Sequence, residues 1–338
     1  MNRRFLFLLL LGPACCAQAQ DADPFFAGRV PMVMDPSRVG FAPGGSVSLI
    51  HQDQWLQMPG NYRSSFLAAQ WCARNNRKPV HSWLGLGTLV DHERQGADGL
   101  GGSSITFTPA IHLQAGPRSF LSFGFGLRWS DRTIGDASGA WASQYDGAQY
   151  RPERASGETF ASGHRSWAES AAGLSFSLKE AKESRFRREP DVLVVGIAAD
   201  HLGHLVLHED GSPLAATPMR ITAYAMGKLP MEIWENGFLS TELILNWQQP
   251  MATGRINVFA GKDLLNEVQS KEGPSALGFK AGLGYRWKDA LLVNAALDWG
   301  RTTFGVAYGW SLFGKTPLTA GRRTFECMAQ VRLSGKSE

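Results

Sequence analysis

The stretch ALGFKAGLGYRWKDALLVNAALDWGRTTFGVAYGWSLF, residues Ala276 to Phe313, decides the fold. Every second residue from Leu277 is apolar: Leu277, Phe279, Ala281, Leu283, Tyr285 and Trp287. Between them lie Gly278, Lys280, Gly282, Gly284 and Arg286, all small or charged. The pattern restarts after Lys288-Asp289 with Leu291, Val293, Ala295, Leu297 and Trp299. It restarts again after Gly300-Arg301 with Phe304, Val306, Tyr308, Trp310 and Leu312. Side chains of a strand alternate between its two faces, so one face here is continuously apolar. The opposite face is dominated by Gly, Ala, Ser and Thr rather than by the long charged residues that cover a soluble sandwich. Aromatic residues stand at strand ends. Lipid outside, a crowded or wet lumen inside and aromatic girdles at both interfaces account for that pattern, and they define a transmembrane β-barrel.

Outward from this stretch the same alternation predicts about fourteen antiparallel strands. Candidates begin near Ser46, Ser64, Val80 and Ser103. Leu121–Trp129, Ala172–Leu178, Val192–Asp200, Arg220–Lys228, Leu239–Trp247 and Gly254–Lys262 follow. The three strands of the opening stretch come next, and Phe325–Leu333 supplies the last. An even count suits a closed bacterial barrel, and closure removes edges that lipid cannot satisfy. Long connections are expected at Asp91–Gly102, Ser130–Trp167, His201–Met219 and Gly314–Arg323, after odd-numbered strands and therefore on the outer side.

The chain reads as three parts. Met1–Ala19 is an export signal: Arg3 and Arg4 precede a short apolar core, and Ala17-Gln18-Ala19 offers a cleavage site. Residues 20–45 form an extended N-terminal arm, and residues 46–338 form a single barrel domain. Gly12-Pro13-Ala14 ahead of Cys15 departs from a lipidation pattern, so Cys15 and Cys16 are expected to leave with the signal. That leaves Cys72 and Cys327, which do not make a disulfide framework. No run approaches the roughly 18 apolar residues a membrane helix needs. The 38 glycines without a repeating triplet fit turns and close packing inside a barrel. A net charge of +4 with scattered basic residues gives no footing for nucleic acid.

The arm and loops carry a resemblance. Asp23-Pro24-Phe25-Phe26 followed by Met34-Asp35-Pro36-Ser37-Arg38-Val39-Gly40 resembles the opening of the PorP/SprF family. His51-Gln52-Asp53-Gln54-Trp55, Asp91–Gly99, Gln144-Tyr145-Asp146-Gly147 with Ser156-Gly157-Glu158, and Ala199-Asp200-His201-Leu202 follow in the family's order. Asp35 replaces the family's usual Asn, and Arg322-Arg323-Thr324 with Phe325-Glu326 departs from its Gly-Ser-His-Glu element. The resemblance implies an outer-membrane component of the type IX secretion system. Its expected partners are other secretion components and a secreted cargo, or gliding adhesin, bearing a C-terminal sorting domain. Outer-membrane lipid surrounds it, and no cofactor is implied.

For partner binding, Tyr145, Asp146, Gly147, Gly157 and Glu158 are the candidates, because exposed aromatic and charged loop residues suit protein contacts. A hydrolase triad from Ser162, His164 and Asp131, Asp136 or Asp146 lacks a nucleophile elbow. Asp91, Glu93 and Asp98 lack the spacing of a calcium loop, and no metal is expected. Arg128, Lys280, Arg286, Glu242 and Asp298 fall on the non-lipid faces, as a lumenal ion network or the lining of a solute path. Trp129, Trp247, Trp287 and Trp299 read as interfacial anchors. The leading expectation is a non-enzymatic secretion barrel. The alternative is a channel or FadL-like transporter, and the contents of the lumen discriminate between them.

Overall fold

The computed structural model describes residues 21–56, 61–73, 81–95, 100–134, 151, 153–154, 163–179, 191–209, 217–231, 233–234, 237–265, 277–312 and 322–333. Fourteen strands close into one antiparallel barrel in sequence order. They are β1 (Gly45–Gln54), β2 (Tyr62–Cys72), β3 (Ser82–Gln95), β4 (Leu100–Gln114), β5 (Ser119–Ile134), β6 (Gly163–Lys179) and β7 (Asp191–Glu209), then β8 (Arg220–Met231), β9 (Gly237–Gln248), β10 (Met251–Leu265), β11 (Leu277–Arg286), β12 (Ala290–Trp299), β13 (Thr302–Ser311) and β14 (Arg323–Leu333). The seam is a ten-pair ladder between β1 and β14, from Gly45 opposite Leu333 to Gln54 opposite Thr324. Each strand of the opening stretch keeps its expected alternation. In β12, Leu292, Asn294 and Ala296 are buried inward, while Leu291, Val293 and Leu297 are exposed outward. In a barrel such exposure marks the lipid face. Trp129, Trp247, Trp287 and Trp299 all stand exposed on that outer surface.

Several strands run further than the hydrophobic pattern announces. β3 continues to Gln95, β5 to Ile134 and β7 to Glu209, so much of the expected connections is strand. The reason is visible in β3. Above Val90 its outward residues become His92 and Arg94, while Asp91 and Glu93 still point inward. The ladder to β4 persists through Gln95 opposite Leu100. Once a strand leaves the apolar layer it loses its hydrophobic period but keeps its backbone pairing. The result is a tall wall of 14 to 19 residues per strand over β3–β7, against 10 or 11 in β11–β14, β1 and β2.

The tall wall ends abruptly at β7. Its ladder with β8 stops at Asp200 opposite Arg220, whereas its ladder with β6 continues to Glu209 opposite Arg165. At that point His201 and Gly203 adopt left-handed φ of 59° and 66°, and the β6 register shifts. These are β-bulges, which bend a strand away from its neighbour.

Residues 21–44 do not run extended outside the barrel; they fold inside it. Asp21 lies at the far end of the lumen, near the last residue of β9, Gln248. The chain then descends, turns through two single turns of 3-10 helix (Pro31–Val33 and Pro36–Arg38), and reaches the opposite rim where β1 begins. Phe25, Phe26, Val30 and Val39 are at most 3% exposed. They pack on inward apolar residues of the wall, among them Ile50, Phe66, Leu89, Leu292 and Met328. The lumen therefore holds a hydrophobic core, and each fully buried large side chain contributes about 1.5–3 kcal/mol to holding the arm. Cys72 faces this interior, whereas Cys327 alternates with the lumenal Glu326 and Met328 and faces outward, and no disulfide joins them.

Candidate functional site

The lumen fixes the arm by its backbone. Burying a peptide N–H or C=O without a partner is costly, so a non-repetitive segment inside a barrel needs acceptors and donors from the wall. Glu326 of β14 accepts the N–H groups of Phe25 and Phe26 at 2.7 and 2.8 Å, with Gln52 Nε2 donating to it at 2.8 Å. Lower down, Asp35 caps the second 3-10 turn through the Ser37 N–H at 2.7 Å and hydroxyl at 2.8 Å. The Tyr224 hydroxyl of β8 donates to the same carboxyl at 2.6 Å. Burial pushes the Asp35 carboxyl above its usual range, and these hydrogen bonds only partly oppose it. Next, the Gly40 N–H donates to Gln70 Oε1 at 3.0 Å, and the Trp83 indole donates to the Gly40 carbonyl at 3.1 Å. His112 Nε2 lies 2.8 Å from the Val39 carbonyl, so that nitrogen is the donor of the ring.

Space for the arm comes from glycines on the inward face. A side chain at Gly85 would collide with the Val39 carbonyl, at Gly124 with Pro36, and at Gly173 with the Asp35 carboxyl. At Gly85 and Gly124 one backbone closely approaches another, and at Gly173 a buried side chain approaches the strand, uses of strand glycine that leave no room for a Cβ.

At the far end, Asp21 joins a charged network. Its carboxylate lies 2.7 Å from His201 Nε2 and 3.3 Å from Arg220. His201 Nδ1 lies 2.9 Å from Glu169, and Arg220 also holds Asp200 at 2.8 Å. Burial alone would raise the Asp21 carboxyl, but the positive charge of His201 and Arg220 outweighs it and holds the group well below the ordinary carboxylate range. Over Asp21 opens a small recess walled by Asp91, Glu93, Arg128, Trp167, Glu169 and Arg220 among others. Arg128 stands 3.9 Å from Asp91 and 3.8 Å from Glu169.

The residues singled out in sequence distribute unevenly. Arg128, Lys280, Arg286, Glu242 and Asp298 do face the lumen. Lys280 lies over the Phe259 ring and Arg286 over Phe25, while Glu242 accepts from Asn257 and Asp298 from Thr303. Tyr145, Asp146, Gly147, Gly157 and Glu158 lie outside the described residues, as do Asp98, Asp136 and Ser162. His164 does meet Asp131, with Nε2 2.5 Å from the carboxylate. Among the described residues no group of three or more metal-ligating side chains comes together. Sequence reasoning did not find the arm seat. Its one available signal was Glu326, an acid between Phe325 and Cys327 on a face where charge is expensive unless paired.

A family model described as type IX secretion system membrane protein PorP/SprF matches residues 17–329. The chain belongs to that family. As a PorP/SprF protein with a closed fourteen-stranded barrel, it is an outer-membrane barrel of the type IX secretion system. A search of curated proteins returns no match. Among solved structures, this PorP/SprF chain is similar to a TodX monoaromatic hydrocarbon channel mutant, with 10% identity and a TM-score of 0.47 over 88% of this chain and 92% of that one. A FadL homologue of Pseudomonas aeruginosa gives 10% identity and 0.41 over 89% and 93%. BamA of Haemophilus ducreyi gives 8% and 0.42 over 86% and 70%.

Proposed function

We propose that this PorP/SprF barrel is a non-enzymatic docking component of the secretion machine, closed by its own arm. It binds other secretion components and a secreted partner with a C-terminal sorting domain, a gliding adhesin being one kind, rather than conducting solute. The observation that carries this reading is the filled lumen: residues 21–44 are pinned to the wall by Glu326, Tyr224, Gln70 and His201. A conduit needs a clear or gated path; a scaffold is served by a rigid, packed interior. In this reading Met1–Ala19 directs export. The rim where β1 begins and β14 ends faces the periplasm, and the tall wall rises on the outer side, where the longer connections of such barrels lie. Lipid covers the aliphatic belt between the tryptophans.

The test is an affinity pull-down of the tagged barrel from gently solubilised outer membranes, with mass spectrometry of what co-purifies. Stoichiometric recovery of secretion components or of a sorting-domain protein is the expected result. A lone barrel that conducts after reconstitution would overturn docking in favour of the FadL-like transport alternative.

A further inference from the structure

On β1–β4 the outward face changes chemistry from one cross-strand row to the next. Leu49, Leu67, Val90 and Ile105 stand opposite one another across the four strands and are 40–49% exposed. One step toward the rim, the outward row is His51, Ser65, His92 and Ser103. The row above that is Asp53, Arg63, Arg94 and Gly101. Period-two alternation puts all three rows on the same outer face.

The polar rows are organised. His51 Nδ1 lies 2.8 Å from the Ser65 hydroxyl, and His92 Nδ1 lies 2.9 Å from that of Ser103, so a serine on the next strand orients each imidazole. Asp53 meets Arg63 at Nε, 3.2 Å away, and the terminal nitrogens of the guanidinium carry further donors. Arg63, His92 and Arg94 are exposed. The ledge holds two guanidiniums against one carboxylate, with hydroxyls and imidazoles beside them. At the rim above, Trp55 and Tyr62 stack edge to face, a contact suited to a membrane interface.

We propose that this ledge seats the phosphorylated sugar headgroup of an outer-leaflet glycolipid, whose acyl chains lie on the aliphatic row beneath. Location selects a lipid, because the polar rows begin at the edge of the aliphatic belt, where a bilayer places its headgroups. Charge selects phosphate, because neighbouring guanidiniums and hydroxyl donors match its oxygens. Width selects the glycolipid. Four adjacent strands span about 14 Å, the reach of a phosphorylated disaccharide and more than the single phosphate of a phospholipid covers. A free phosphate would leave the aliphatic row uncovered. Only the orientation of the barrel is shared with the docking role, which survives if the ledge is empty.

The experiment titrates the purified barrel in mild detergent with three lipids and counts bound lipid by native mass spectrometry. The lipids are bisphosphorylated lipid A, its dephosphorylated counterpart and phosphatidylglycerol. The expected result is a single retained lipid A, with the other two bound at least tenfold more weakly. Arg63→Gln with Arg94→Gln should lower lipid A retention at least tenfold while the barrel keeps its heat-modifiable migration. Lys288→Gln, in the turn between β11 and β12, should leave retention unchanged. Equal retention with and without the phosphates, or by the double variant, would overturn the ledge as a headgroup site. Phosphatidylglycerol held as tightly as lipid A would overturn the glycolipid as its occupant. If the double variant fails to assemble, the comparison of the three lipids on the native chain still decides.

Discussion

Glu326 is a charged residue in a strand that also carries Phe325 and Cys327, and its role comes from what the arm lacks. Phe25 and Phe26 sit in a non-repetitive turn, so their amides have no ladder partner, and the carboxylate takes both. Orphaning a buried donor costs about 1–3 kcal/mol. Glu326→Ala should therefore raise hydrogen exchange at the Phe25 and Phe26 amides by about ten- to a hundredfold while strand amides stay protected. Unchanged exchange would mean that packing alone holds the arm. Asp21 gives a pH test at the same scale. Its carboxyl is depressed in the folded state, so the stability it contributes is present above the ordinary carboxylate range and is lost only as pH falls through the lower folded value. Lowering the pH from 7 to 4 should leave the Asp21 end of the arm in place, and Asp21→Asn should loosen it at both pH values. Exchange rates at the amides of residues 21–23 read both cases.

At the scale of elements, the glycine tracks of β3, β5 and β6 are the seat of the arm. Gly124→Val should unseat the Pro36–Arg38 turn, because the new side chain meets backbone that cannot move aside. Gly126→Ala, where the nearest atoms are side-chain atoms at 3.3 Å and beyond, should be tolerated. Protease sensitivity confined to residues 21–44 is the readout, with the barrel resistant in both variants. These glycines were legible only in part. Period-two alternation located all fourteen strands, because lipid imposes apolar residues on one face along the whole membrane crossing. The other face obeys local rules: Gly124 answers to Pro36 and Gly173 to Asp35, contacts about 90 and 140 residues away that no window of sequence contains. The upper ends of β3, β5 and β7 were missed for a related reason. Outside the lipid layer His92 and Arg94 replace leucine, and only backbone pairing marks the strand.

At the scale of the molecule, one chain makes both the wall and its filling. The apolar inner residues Ile50, Leu89 and Leu292 make sense only with Phe25, Phe26 and Val39 beside them. An arm that buries this much apolar surface is a permanent part of the folded barrel, and its loss leaves greasy patches in a wet lumen. The far rim then carries the charged recess over Asp21. Family membership supplies the secretion system, and the packing adds a lumen filled by the chain's own arm.

The most direct measurement is single-channel conductance in planar bilayers, comparing the mature barrel with a variant lacking residues 21–41. A silent intact barrel and steady, open conductance from the shortened one is the predicted result. Equal conductance from both would contradict a lumen closed by its own arm, and with it the case for docking over transport.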